Sequence, residues 1–375
     1  MLLSKIISFG LQALLFHSFG GNAVPIPDIP DDSPAAPFDP KIYKGAPFNP
    51  EIPVPVVAPP PVSNSTIVAR DGSIVSSPHD LSNPEIRARA TVYRPSVGYF
   101  AGFNMGTYTK TGACKSLDDW RSEMRKVKSF NNQHFKFTVI KIFTTAQCSA
   151  LANALQAAQE IGGIKIWAGI WSTPYATFQS DKNELGRQIV GNKGYLIAGV
   201  SVGSEEMYRG MAAGTLSGYI WDVKGMIQNA YGKTNIPVGT SDGIAPFLNG
   251  ANQAVLDASD VVMVTDYPYY GGVRVEQALR AFQQDWWNLA ARMNGKAIVV
   301  GETGWPTLGN TIGQAVPTIA KAGQYFKAVA CWMRSTKKPF FWFEAVDEQW
   351  KPGGTAETRF GVSWYGGDKK FGLTC

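Results

Sequence analysis

The stretch Val299-Val300-Gly301-Glu302-Thr303-Gly304-Trp305-Pro306-Thr307 is the part of the chain from which the fold is most directly inferred. Its β-branched start predicts a buried strand, which we expect to stop at Gly301. The glycine, tryptophan and proline that follow favour a loop. Glu302 should therefore lie where a buried strand meets a loop, the face that carries the chemistry in a parallel α/β barrel. The alternative is a strand-end charge that points to water.

A second carboxylate, Glu205, follows a similar apolar run, Leu196-Ile197-Ala198-Gly199-Val200-Ser201-Val202. Glu302 comes about 100 residues later, which is about three strand–helix units of roughly 30 residues each. Strands of one barrel that far apart still point to the same mouth. Two carboxylates at one mouth suit glycoside hydrolysis: one protonates the leaving oxygen and the other attacks the anomeric carbon or activates a water.

Strand patterns alternate with helical patterns along the chain, and eight such units predict an α/β fold of the (β/α)8 TIM-barrel type. The predicted strands cover residues 98–104, 137–143, 164–170, 196–202, 236–239, 261–265, 297–300 and 340–343. The predicted helices cover residues 116–129, 150–161, 219–230, 275–293 and 316–334, and Ser116 can cap the first. Glu205 then follows the fourth strand and Glu302 the seventh.

Three separated motifs carry a resemblance to a known family. Gly301-Glu302-Thr303-Gly304-Trp305-Pro306 resembles the nucleophile motif of glycoside hydrolase family 17, and Val202-Gly203-Ser204-Glu205 resembles its acid/base motif. The segment from Phe343 to Pro352 resembles the one after the family's last barrel strand. Met207-Tyr208-Arg209 and the final cysteine are typical of the fungal cell-wall branch of β-1,3-glucanases and glucanosyltransferases. The resemblance extends from about Gly98 to Cys375.

The resemblance implies a retaining enzyme in which Glu205 is the proton donor and Glu302 the nucleophile. Glu206 is a rival acid, but the family uses the first glutamate of this motif, so we expect Glu206 to face away or to pair with Arg209. The acid needs a pKa raised by a low-polarity pocket or a second carboxylate, whereas the nucleophile must stay ionised. For retention the two carboxyl groups should lie about 5–5.5 Å apart.

Aromatic residues near the predicted mouth are candidates for contact with sugar rings. Tyr267 and Tyr269 follow the sixth strand, in a segment that also holds Tyr270 and two glycines, which favours a loop. Trp305 follows Glu302 by three residues. Each ring offers a flat apolar face, and each could instead pack in the core.

Four polar residues complete the predicted substrate site. Glu348 and Lys351 correspond to polar residues of the family's cleft after the eighth strand, and the alternative for them is a solvated surface pair. Asn104 follows the first strand. Ser204 stands where plant members of the family have an asparagine that can contact the sugar 2-hydroxyl, and the serine side chain is shorter.

The composition excludes several other classes of function. The net charge of +6 comes from lysines and arginines that form no long run, so we expect no nucleic-acid partner. Neither HExxH nor GxxxxGK[ST] occurs and there are only 3 histidines, so we expect no metal and no cofactor. The partner that the resemblance implies is β-1,3-glucan, bound by a monomer.

The chain divides into three parts. Residues 1–23 are typical of a secretory signal peptide, with Lys5 before an apolar run and a small-residue cleavage site. Residues 24–94 are crowded with prolines and predict a disordered, extended arm, which carries the only glycosylation sequon, at Asn64. Residues 95–375 should form the catalytic barrel. No later stretch is long and apolar enough to cross a membrane, so we expect a secreted protein of the cell wall.

The four cysteines allow three disulfide pairings. We favour Cys114 with Cys148, because both should follow the first two barrel strands on the same face, which leaves Cys331 with Cys375. The alternative is four buried thiols.

The function predicted from the sequence is a retaining glycosidase and transglycosylase of β-1,3-glucan that remodels the fungal cell wall. One alternative is a plain endo-β-1,3-glucanase without significant transfer. The other is a non-catalytic glucan-binding wall protein, which could lose a carboxylate, and both carboxylates are present here.

Overall fold

Eight parallel strands close into a barrel, so the predicted TIM-barrel fold is confirmed. Each strand pairs with the next along the chain and the last pairs with the first, which leaves no exposed edge. The strands are β1 Ala101–Asn104, β2 Phe137–Lys141, β3 Lys165–Ile170, β4 Ile197–Ser204, β5 Val238–Gly243, β6 Val261–Thr265, β7 Ala297–Thr303 and β8 Phe340–Trp342.

The computed structural model describes residues 95–351 and 356–375, together with the backbone of residues 67–68 and 74–75. The predicted signal peptide, most of the proline-rich arm and the sequon at Asn64 lie outside the described residues. Within the arm, Ile67–Val68 and Ile74–Val75 pair as two short antiparallel strands.

Helices cover the outside of the barrel between the strands. They are α1 Leu117–Ser129, α2 Ala150–Ile161, α3 Tyr175–Val190, α4 Ala213–Lys224, α5 Ile244–Leu248, α6 Gln253–Ala258, α7 Val275–Met293 and α8 Ile319–Ser335. Ser116 caps α1 as predicted, in a reciprocal capping box with Asp119. The predicted helix over 219–230 proves to be α4, which begins earlier, followed by a π-helical turn at Gly225–Ala230.

The barrel interior is filled by large side chains that face glycines. Trp167 of β3 and Phe341 of β8 lie inside the barrel with Val139, Met263 and Val299. Gly199 of β4 makes room for the indole, because a Cβ at that position would come 2.6 Å from the ring of Trp167. This apolar filling separates the two ends of the barrel and leaves the polar groups at the carboxyl ends of the strands.

Strand β7 is longer than the sequence predicted. Glu302 pairs with Thr265 of β6, and Thr303 pairs with Trp342 of β8, so the strand runs through the carboxylate instead of stopping at Gly301. Glu302 is therefore the second-to-last residue of a strand that is paired on both sides.

Both favoured disulfides are present, Cys114–Cys148 and Cys331–Cys375, so the alternative of four thiols is wrong. The second joins α8 to residue 375.

Candidate active site

Glu302 is buried at the carboxyl end of β7 and is held by two donors. The Lys141 ammonium donates to Oε1 at 2.8 Å, and the Tyr267 hydroxyl donates to Oε2 at 3.1 Å. An ammonium and a hydroxyl on its two oxygens stabilise the ionised carboxylate and fix the direction of its lone pairs. Glu302 is thus an oriented carboxylate of the kind that a nucleophile requires.

Lys141 is the residue of this site that the sequence did not single out. It is the last residue of β2, its side chain is only 1% exposed, and its ammonium also lies 4.5 Å from the centre of the Phe143 ring. In the sequence it is one of many scattered bases. The sequence feature that could have identified Lys141 is its position at the end of a mostly apolar strand, where a buried charge needs a partner.

Glu205 follows directly after β4, as predicted. Its backbone adopts a left-handed conformation, with φ of 59°, and its N–H donates to the carbonyl of Ser241 on β5 at 2.7 Å. Burial raises the pKa of Glu205 to about 8, and the negative charges of Glu302 and Asp242 add to this effect. Arg209 and Lys141 oppose it. Glu205 therefore keeps its proton at neutral pH, as a general acid must.

Glu206 pairs with Arg209, as expected from the sequence. Their side chains lie 2.9 Å apart, and the Thr173 hydroxyl donates to the other Glu206 oxygen at 3.0 Å. The guanidinium of Arg209 also lies 5.0 Å from the Trp171 ring. Because Glu206 is engaged in this buried cluster, Glu205 remains the carboxyl group with acid character.

Tyr267 lies at the site, but Tyr269 and Trp305 lie in the core. Tyr269 donates its hydroxyl to the carbonyl of Asn310, and the indole N–H of Trp305 donates to the carbonyl of Val316. Both side chains are fully buried and pack on each other with ring centres 5.6 Å apart. The expectation that their faces line the groove is therefore wrong, because packing covers both rings.

Glu348 and Lys351 form an ion pair of 3.0 Å. The pair is buried rather than solvated, because Glu348 packs against Gly106 and the Lys351 ammonium lies 4.7 Å from the Phe343 ring. Glu344 joins the same cluster 3.8 Å from Lys351, and burial and Glu348 raise its pKa well above the usual range.

Asn104 and Ser204 end β1 and β4 at the same rim. Asn104 donates from Nδ2 to the carbonyl of Gly301 at 3.1 Å, one residue before the predicted nucleophile. Within residues 95–351 and 356–375, neither Asn104 Oδ1 nor Ser204 Oγ has a hydrogen-bond partner, although both atoms are buried.

Two negative findings apply to the described part of the chain. It holds no cluster of three or more histidine, cysteine, aspartate or glutamate side chains arranged to bind a metal ion. It also contains no helix with the length and hydropathy that crossing a membrane requires.

A closed (β/α)8 barrel that carries a carboxyl group of raised pKa and a second, lysine-bound carboxylate at the carboxyl ends of its strands is typical of a glycosidase-type enzyme. The family model of the BtgE/BtgC glycoside hydrolase domain matches residues 102–364. The chain belongs to this family of glycoside hydrolases, within the fungal branch of family 17 that its motifs indicate.

The relatives are fungal enzymes. A glucan 1,3-beta-glucosidase of Saccharomyces cerevisiae is 32% identical over 289 residues, which cover 73% of this chain and 90% of that protein. A glucan 1,3-beta-glucosidase of Schizosaccharomyces pombe is 30% identical over 282 residues, covering 73% and 86%. A solved family 17 beta-1,3-glucanosyltransferase from Rhizomucor miehei is 26% identical with a TM-score of 0.65, covering 73% of this chain and 97% of that one.

Proposed function

We propose that this protein is a secreted, retaining glycosidase and transglycosylase of β-1,3-glucan, with Glu205 as acid/base and Glu302 as nucleophile. The observation that carries the proposal is the contrast between the two carboxyl groups. The Lys141 ammonium and the Tyr267 hydroxyl donate to the two oxygens of Glu302, whereas burial and the Glu302 charge raise the pKa of Glu205 to about 8. Two carboxyl groups in such different environments are the arrangement that assigns acid and nucleophile.

In the first step an oxygen of Glu302 attacks the anomeric carbon while the proton of Glu205 moves to the glycosidic oxygen. The bond between that carbon and oxygen breaks, the shortened chain leaves as an alcohol, and a glycosyl ester forms on Glu302. The Lys141 ammonium and the Tyr267 hydroxyl stabilise Glu302 again when it leaves as a carboxylate.

In the second step Glu205, now ionised, removes a proton from the incoming hydroxyl group as that oxygen attacks the anomeric carbon, and the bond between this carbon and the Glu302 oxygen breaks. Water as the acceptor gives hydrolysis, and the hydroxyl group of another glucan chain gives transfer. Both outcomes use the same two carboxyl groups, so the acceptor site decides between them.

The substrate class is supported by the relatives. The yeast proteins are glucan 1,3-beta-glucosidases, and an active-site mutant of the Rhizomucor miehei glucanosyltransferase was solved with laminaritriose. The similarity to a glucanosyltransferase supports transfer as the reaction of this protein, whereas the names of the glucosidases support hydrolysis, which is the second candidate. A role in remodelling the cell wall, and secretion as a monomer to that wall, belong to the same proposal. Two disulfides agree with an oxidising compartment.

We further propose that five residues contact the glucan: Asn104, Ser204, Tyr267, Glu348 and Lys351. The buried atoms Asn104 Oδ1, Ser204 Oγ and Glu348 Oε1 have no hydrogen-bond partner among the described residues. Sugar hydroxyl groups can both donate and accept, so they would satisfy such atoms at the rim.

Mass spectrometry of the products from one defined laminari-oligosaccharide tests this proposal. Oligomers longer than the donor demonstrate transfer, and exclusively shorter ones establish plain hydrolysis. Glu302→Gln and Glu205→Gln should each abolish both product series, because the glycosyl ester cannot form without the nucleophile and the leaving oxygen is not protonated without the acid. Unchanged turnover in either variant would contradict the catalytic assignment.

A further inference from the structure

Asp242 is a buried carboxylate that the mechanism above does not use. It lies near the end of β5 and is 0% exposed. Its Oδ2 accepts the backbone N–H of Met207 at 2.8 Å, and its Oδ1 accepts the N–H of Gly243 at 2.8 Å. The backbone N–H of Tyr208 also donates to this carboxylate. One side chain therefore binds the backbone of two residues that follow Glu205 closely.

The segment that carries Glu205 needs such an anchor. Glu205 has a left-handed backbone, which is unfavourable for a residue with a Cβ and persists only where the surroundings impose it. The contacts that impose it come from β5, at Glu205 itself and at the residues that follow it. Ser241 accepts the N–H of Glu205 at 2.7 Å, and Asp242 accepts those of Met207 and Tyr208.

We propose that Asp242 is the positioning residue of the acid/base: its carboxylate binds the backbone that follows Glu205 and holds this segment in place. This inference rests on the proposed role of Glu205. It assigns a function in the reaction to a residue of β5, a strand that otherwise contributes no side chain to the proposed chemistry.

Four charged groups act on the Glu205 carboxyl group, from four different parts of the barrel. Glu302 on β7 and Asp242 on β5 raise its pKa, whereas Arg209 in the same loop and Lys141 on β2 lower it. Burial raises the pKa of Asp242 itself to about 6, against the hydrogen bonds from Gly243 and Met207. Asp242 is therefore charged in the range near pH 8 where Glu205 loses its proton.

Asp242→Asn separates this role from simple packing. The amide keeps the size of the side chain but removes the charge and replaces one accepting oxygen with a donating NH2 group, which cannot accept a backbone N–H. Without the negative charge Glu205 holds its proton less tightly, so the basic limb of the kcat/KM profile should move to lower pH by at least about half a unit. We expect kcat to fall about 10- to 100-fold because the acid is displaced, with KM within about twofold.

The matched control is Asp260→Asn. Asp260 is also buried and accepts the N–H of Val238 at 3.0 Å, but this lies at the opposite end of β5, where Asp260 pairs with Lys224 at 2.7 Å. This variant should lower the melting temperature and leave the basic limb where it is. Asp242→Glu is the second test variant, and it keeps the charge while displacing the oxygens. Its kcat should fall while the basic limb of the kcat/KM profile stays in place. This variant replaces Asp242→Asn as the test if Asp242→Asn does not fold.

The outcomes decide between the inference and its alternatives. A basic limb that stays in place in Asp242→Asn, or a lowered melting temperature with unchanged kcat, overturns the positioning role. If Asp242→Asn does not fold, full kcat in Asp242→Glu overturns it. Glucan turnover that survives in Glu205→Gln would instead contradict the proposed function, so the two failures remain distinguishable.

Discussion

Replacement of Lys141 by methionine should reduce catalysis by about one to two orders of magnitude. The change removes the ammonium that donates to Glu302 Oε1 at 2.8 Å and replaces a side chain that is 1% exposed with one of similar length. A hydrogen bond to a charged group contributes about 1.5–3 kcal/mol. Since about 1.4 kcal/mol is a factor of ten, kcat/KM on a laminari-oligosaccharide should fall about 10- to 100-fold.

The pH profile gives this prediction a second readout. Lys141 lowers the pKa of Glu205. Without Lys141, Glu205 should hold its proton to higher pH, so the basic limb of kcat/KM should move toward alkaline pH.

Lys224→Met is the matched control for this experiment. Lys224 is also buried and pairs with a carboxylate, Asp260, at 2.7 Å, but that pair lies at the amino ends of the strands. This control should lose stability and keep the wild-type pH profile. Wild-type kcat/KM together with an unmoved basic limb in Lys141→Met would refute the role assigned to Lys141.

The other predictions concern the acid, the second donor and a disulfide. Glu205→Gln should abolish glucan turnover yet retain activity on an aryl glucoside whose leaving group needs no proton. It should also gain more thermal stability at pH 9 than at pH 4, because the raised folded-state pKa makes wild-type stability fall between about pH 4.5 and 8. Tyr267→Phe should lower kcat/KM about 2- to 10-fold in steady-state assays by removing one donor to Glu302. Joint replacement of Cys331 and Cys375 by serine should cost about 2–4 kcal/mol in the free energy of unfolding, measured with urea.

The barrel and the two carboxylates could be predicted because their signals are local. Buried strands such as β6 and β7 are short β-branched runs bounded by turn residues, and glutamates follow two of these runs directly. Helix α3 was not predicted, since Phe178, Leu185 and Ile189 are its widely spaced apolar positions among many polar ones. Its amphipathic pattern is correspondingly weak.

The partners of the carboxylates could not be predicted, because they come from distant strands. Lys141 and Glu302 are 161 positions apart, and only closure of the barrel brings their side chains together. The same limit explains why the burial of Tyr269 and Trp305 was not predicted. An aromatic residue beside a catalytic motif can face the groove or the core, and the neighbours that bury these two rings lie elsewhere in the chain, such as Phe360 and Tyr325.

Gly199 and Trp167 share one space inside the barrel, and this has a consequence for how the family can diverge. A methyl group at 199 would overlap the indole, so alanine there is tolerated only after the ring at 167 has been replaced by something smaller. Neither change is neutral alone, since a smaller side chain at 167 first leaves a hole. Across related chains the two positions should therefore vary together. A large side chain at 167 should occur with glycine at 199, and a smaller side chain at 167 with a larger residue at 199.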